Sequence, residues 1–420
     1  MKSEPEWMRQ RRIDAWDVFE QMAWPTLSEE EWRRTDIRGF KLQSLTPFTE
    51  PNGQVSALPA EISASGDVAD RGGLIVQRDG LTQTTQLQER LQQQGVIFCN
   101  LDTAVRNYPE LVKKHFMTGC VTPAYNRFAA LHAAFWSGGS FVYVPRGVEV
   151  TLPLQASFWA QHTGSAMFPH TLVITERDSR VVYIDQYLSS DTEGETQTLN
   201  CPVVELLPMS GSEIRYVSLQ QLGRGAWHFG VQRARITQDS RVNFLVASLG
   251  STFNKSNIDA VLEGPGATTE MLGFYFGDGN QLVDHHTLQD HVAPHTTSDL
   301  LFKGALKDTS RSVYSGSINV HKGAQKTNAY QNNRNLLLSP DARADSIPKL
   351  EIGANDVRCT HGATAGPIEE VQIFYLMCRG VPRIQAERLI VEGFFDPVLQ
   401  RVPLEGVRER LRASIDEKIV

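Results

Sequence analysis

A chain of 420 residues with 41% hydrophobic and 21% charged positions can bury a sizeable core, and it is longer than one compact core usually serves. That balance excludes a disordered or low-complexity polymer, and a formal charge of −7 offers a nucleic-acid backbone no overall attraction. The opening residues MKSEPEWMRQRRIDAW lack the apolar stretch of a secretory leader and no apolar run approaches bilayer length, so the expected compartment is the cytoplasm, with no membrane and no nucleic-acid partner.

Residues 1–139 read as a mixed, largely helical N-terminal region. From Glu6 to about Arg38 the pattern is helical and rich in Trp, and LSEEEWRR within it resembles a helix start. A second helical candidate runs from Thr82 to Gln94. Between Pro109 and Gly138 the small and aromatic residues of AALHAAFW suit a buried helix.

The texture changes at Ser140. Segments such as TLVITERDSRVVYIDQYLS and WHFGVQRARITQDSRVNFLVASLG are short and β-rich, separated by Gly, Asp, Ser and Asn turns, with no helical periodicity between them. A βαβ sheet is therefore not expected; a sandwich, a barrel or a stacked solenoid remains. Small polar pairs open GSEIRYV, DSRVNFLV, ATTEMLG, DTSRSVYSG and AQKTNAYQ at irregular spacing. Units of this kind bury their apolar face by stacking on neighbours, so a parallel β-helix over residues 140–366 is the best account of the mainly β stretch. QNNRNLLL near its end is either a buried Asn row of stacked coils or an ordinary polar turn.

Helices return at Ile368, and residues 367–420 form a C-terminal helical domain. PIEEVQIFYLMCRG opens with carboxylates and closes on Arg379 and Gly380, Pro382 starts a second helix, and LEGVRERLRASIDEKI supplies a third. The apolar residues of this appendage either dock a partner subunit or seal the last coil.

Two clusters carry possible chemistry. In VRCTH, an extended chain sends Cys359 and His361 out of the same face, where a thiolate and an imidazole suit iron or another thiophilic metal. The pair is half a site, and a buried structural thiol beside a hydrogen-bonded histidine is the plainer alternative. The other cysteines, Cys99, Cys120, Cys201 and Cys378, show no paired CxxC spacing, which suits a reducing compartment. VDHHTLQDHVAPHTTSD gathers Asp284, His285, His286, His291 and His295, and so invites a metal-dependent hydrolase reading, although few further carboxylates accompany them. No GxxxxGK[ST], GxGxxG or GxSxG motif is present, so any ATP-driven cycle belongs to a partner. A β-helix enzyme acting on polysaccharide is the remaining alternative, and the missing leader weighs against it.

The stretch from Asp284 to Phe395, above all CTHGATAG followed by EEVQIFYLMCRG, resembles the SufB/SufD family of iron–sulfur cluster assembly proteins, on its SufD side. The resemblance implies a right-handed parallel β-helix between helical regions and a non-catalytic scaffold. It implies a heterodimer with SufB, which accepts the sulfur, in a complex with two copies of the ATPase SufC docked on the C-terminal helices. His361 then matches the family histidine at the SufB interface, with Cys359 as its companion. The expected cargo is a transient iron–sulfur cluster or iron between the two chains, with no tightly bound cofactor in the isolated chain, which can also pair with itself. Pro367 departs from the family's usual continuation and fixes the helix start.

Overall fold

From Val203 to Pro367 successive strands alternate between two sheets, and each, up to the last two, pairs in parallel with the strand two after it. Phe253 pairs with Leu282 and Leu282 with Arg311, so one coil of two strands and two turns takes 29 residues. This is a parallel β-helix, and helical regions flank it at both ends, as the turn-punctuated β sequence predicts. The computed structural model describes residues 4–47, 62, 71–189, 196–402 and 405–419. No helix among them is long and apolar enough to cross a membrane.

Alternation along each strand decides what fills the lumen. Ile258, Ala260 and Leu262 face Phe244, Val246 and Met271 across it, and these belong to one continuous apolar core. The corners are as regular as the strands. Asp178, Gly211, Asp239, Gly266, His295 and Lys326 all take left-handed backbone angles, φ 53° to 74°, and each stands two residues before a strand of the ten-stranded sheet. Glycine and aspartate hold four of the first five corners because they tolerate that conformation best.

The N-terminal region departs from the helical expectation in two places. The stretch from Thr82 to Gln94 is a strand, Leu81–Leu87, followed by a short helix, Glu89–Gln93. Asp79 and Gly80, at φ 49° and 81°, make the tight turn that pairs this strand antiparallel with Gly73–Arg78, and the β-branched Thr82, Thr84 and Thr85 fit the pleat. Likewise the first helix stops at Gln21, and LSEEEWRR forms turns. Its apolar residues Leu27 and Trp32 are five apart, so no helical face could form. Trp32 is instead buried under Lys255, whose Nζ lies 4.5 Å from the ring centroid. AALHAAFW does lie in a buried helix, Arg127–Phe135, on which the first helix packs, and Phe128 stacks on Phe229 of the solenoid at 3.7 Å.

Beneath that helix, Glu205 is fully buried and accepts from Met117 N at 2.7 Å and Val121 N at 2.9 Å, while His170 Nε2 lies 3.2 Å away. Burial pushes the Glu205 carboxyl up to about 7. Because its folded value exceeds its unfolded one, the stabilisation it brings is full at acid pH and is lost as pH rises toward 7. We expect Glu205→Gln, which cannot ionise and keeps one of the two accepting oxygens, to remove this pH-dependent loss. Between about pH 5 and pH 7.5 its melting temperature should rise by a few degrees relative to that of the wild type, a difference read by calorimetry.

The C-terminal helices Arg383–Leu399 and Glu405–Ile419 cover the outer face of the ten-stranded sheet. Phe395, Val398, Leu411 and Ile415 pack on Leu219, Leu245, Phe274 and Phe276. Lys303 fastens them by donating to Phe394 O at 2.5 Å, and Arg401 pairs with Glu270 and Asp299. Helix Glu370–Met377 precedes them and ends at Gly380, φ 86°, as the glycine cap predicts.

Candidate functional site at the open end of the solenoid

The last coil consists of strands Arg343–Ile352 and Arg358–Pro367, each ten residues long. Each is the edge strand of its sheet, and no described residue pairs with its outer side. The lumen is open here: Leu350 and Ile352, which sit above buried Ile318 and Val320, are 36% and 45% exposed. Elsewhere along the solenoid those column positions are buried, so the ladder ends without the polar cap that isolated stacks require.

Cys359 and His361 lie in the strand Arg358–Pro367. Register places Cys359 on Ala329 and His361 on Gln331, both buried lumen positions, so the two side chains do leave one face. Their environments differ. Cys359 is half-buried against Ile318, Val320, Ala329 and Ala354, and burial raises its thiol above the ordinary value. His361 is exposed on the open coil. Beside them, under Ala363 and Ala365, the lumen is polar: Asn335 Nδ2 donates to Asn333 Oδ1 at 2.8 Å, and Ser346 Oγ donates to Asn333 Oδ1 at 2.5 Å. Asn333 and Asn335 of QNNRNLLL thus form a bonded internal row, whereas Asn332 faces the other side and donates to Tyr330 Oη at 3.0 Å. Cys378, at the far end of the following helix, is exposed and remote from the pair in sequence.

The run from Asp284 to His295 does not converge. It occupies strand Leu282–His291, where alternation sends His285 and His291 into the lumen and Asp284 and His286 to the outside. His285 Nε2 shares a hydrogen bond with Ser248 Oγ, and His291 bonds Thr296 and Ser298. Asp284 takes Lys255 Nζ at 2.9 Å and Thr35 Oγ1 at 2.6 Å, tying the N-terminal segment to the sheet, and those partners outweigh burial and hold its carboxyl far below the usual range. His295 is one of the left-handed corners. Among the described residues no three His, Cys, Asp or Glu side chains gather as a metal site. Asp284→Ala, which strands a buried lysine, should cost about 3 kcal/mol or more in urea unfolding. A loss below 1 kcal/mol would contradict this structural assignment.

Two family models match the chain in succession: the SufBD protein N-terminal region over residues 1–156, and the SUF system FeS cluster assembly SufBD core domain over residues 158–394. The chain belongs to the SufBD family. It is 30% identical to the iron–sulfur cluster assembly protein SufD of Bacillus subtilis (strain 168), over 99% of this chain and 95% of that one. It is 28% identical to SufBD family proteins of Staphylococcus aureus (strain MRSA252) and Staphylococcus saprophyticus, over 98% of this chain and 89% of theirs. The SufBD core match takes in the whole open coil and the helix after it. What motif reading missed here were Gln331 and Ser346, polar lumen residues next to the pair. For Gln331 the signal was the period-two alternation of QNNRN, which marks an inward row once the strand is placed, whereas Ser346 carried none.

Proposed function

We propose that this SufBD chain is a non-catalytic scaffold subunit that pairs with SufB through its open last coil, and that a nascent iron–sulfur cluster is built across that junction under control of the ATPase SufC. The observation that carries the reading is the pair of unpartnered ten-residue edge strands with His361 standing exposed on one of them. A second solenoid presenting the same kind of edge completes the hydrogen bonding of both sheets and covers Leu350 and Ile352. The same edge suits a second copy of this chain when SufB is absent.

A ligand set divided between two chains suits a transient cargo, since moving the chains apart opens the site. His361 offers a neutral imidazole nitrogen to iron at that junction. Cys359, half-buried with its thiol pushed up, serves the packing of the last coil. The ATPase dock is helix Glu370–Met377, where Val371, Phe374 and Tyr375 form an i, i+3, i+4 stripe that is 76%, 67% and 58% exposed.

Co-expression with SufB and SufC tests the assembly. Light scattering on the eluted peak should find all three chains in one complex. A SufB–SufC complex that excludes this chain would overturn the reading, as would turnover of glycans by the purified chain.

A further inference from the structure

We propose that Gln331 is a positioning residue for His361, accepting the imidazole N–H and so fixing which ring nitrogen faces the open end. Its consequence for cluster assembly rests on the function proposed above, whereas its substance rests on the geometry of the lumen.

Gln331 is completely buried and projects into the lumen, since its Nε2 reaches Gly316 O of the opposite sheet at 3.3 Å. A carbonyl oxygen can only accept, so the amide nitrogen must be the atom turned to Gly316, and the amide oxygen is left free. That oxygen is buried and has no hydrogen-bond partner. Room for the amide exists because residue 316 is glycine: a Cβ there would sit 2.3 Å from Gln331 Nε2.

The column in which Gln331 stands decides what can satisfy the oxygen. Register runs Phe244, Met271, Leu300, Gln331, His361. Below Gln331 every member is apolar and supplies no donor, and the hydroxyl beside Gly316, Tyr314 Oη, is engaged with Thr287 Oγ1 at 2.9 Å. The next residue above is His361, one strand spacing away, about 4.8 Å, on the same face. A buried acceptor left without a donor is costly, and a ring N–H one step up the column removes that cost. Once one nitrogen donates to Gln331, the other presents its lone pair outward, which is how outer-sphere hydrogen bonds orient imidazole ligands.

The test needs neither partner nor cluster. Long-range ¹H–¹⁵N spectra of the full chain at pH 8.5, with the His361 signals assigned by their loss in His361→Ala, report the tautomer. In the wild type one tautomer should exceed the other by about tenfold, the ratio that one net hydrogen bond supplies. Gln331→Met fills the same space without a strong acceptor and should bring the ratio close to the unbiased value. Gln331→Glu, ionised at pH 8.5, gives up the bond to Gly316 O but still accepts the imidazole N–H, so it should restore the bias. Should Gln331→Met fail to fold, Gly316→Ala displaces the amide and should shift the tautomer instead. An unchanged ratio in the folded Gln331→Met or Gly316→Ala chain overturns the proposal. In the assembled complex Gln331→Met should lower cluster yield about tenfold and Gln331→Glu should not. A tautomer shift with unchanged yield upholds the positioning role and overturns the ligand reading of His361.

Discussion

The His361→Ala protein should assemble with SufB and SufC as the wild type does, yet form roughly tenfold less iron–sulfur cluster or worse. One exposed imidazole adds little to an interface made by two ten-residue strands, so stoichiometry should hold. A direct metal ligand is worth at least as much as the outer-sphere partners whose loss costs 10–100-fold, about 1.4–2.7 kcal/mol in metal affinity. Cys359→Ser should be the milder change, because its thiol packs among Ile318, Val320, Ala329 and Ala354 and is held above its ordinary pKa. The readouts are charge-transfer absorbance, bound iron and sulfide on the reconstituted complex, with light scattering in parallel. Normal cluster yield from the intact His361→Ala complex would end the ligand role; loss that accompanies dissociation would make His361 an interface residue.

Placing carboxylates at both Val371 and Phe374 should abolish co-purification with the ATPase without disturbing the fold. The two side chains are 76% and 67% exposed in the isolated chain, so their replacement removes no internal packing. In a docked complex each would bury an unpaired charge where an apolar anchor stood, which weakens association by on the order of 10³-fold or more. Pull-down and the melting curve of the isolated double variant together check this. Truncation from Pro382 onward is a poorer experiment. The helices it deletes cover Leu219, Leu245, Phe274 and Phe276, so the solenoid would lose stability along with any dock. Retained binding by the double variant would place the dock elsewhere.

The β-helix was legible because its signals are local and repeated: turn residues, then alternating β-formers, with no helical period between them. The corners were the stronger version of that signal. Their spacing varies with strand and turn length, so Asp178, Asp239 and His295 do not fall on a fixed period even though the structure gives them one role. Gly73–Arg78 and Leu81–Leu87 went unread as strands because Gln and Thr dominate the second of them and the first pairs onward with Leu154–Ala160, far along the chain. Side-chain direction explains the two histidine clusters. Cys359 and His361 are two apart in one strand and share a face. Asp284 and His285 are adjacent in another and are separated by the sheet itself. Gln331 opens the polar run QNNRNLLL, but it gains its meaning only from the register that stacks His361 on it.

Hydrogen exchange at the last coil reads the central claim most directly. With the chain held monomeric by dilution, the outward backbone amides of residues 343–352 and 358–367 have no partner strand and should exchange quickly. Adding SufB should slow them by about a hundredfold or more in both strands together, while the helix Glu6–Gln21 exchanges as before. Protection confined to other surfaces, with both edge strands still exchanging freely in the SufB complex, would contradict the account.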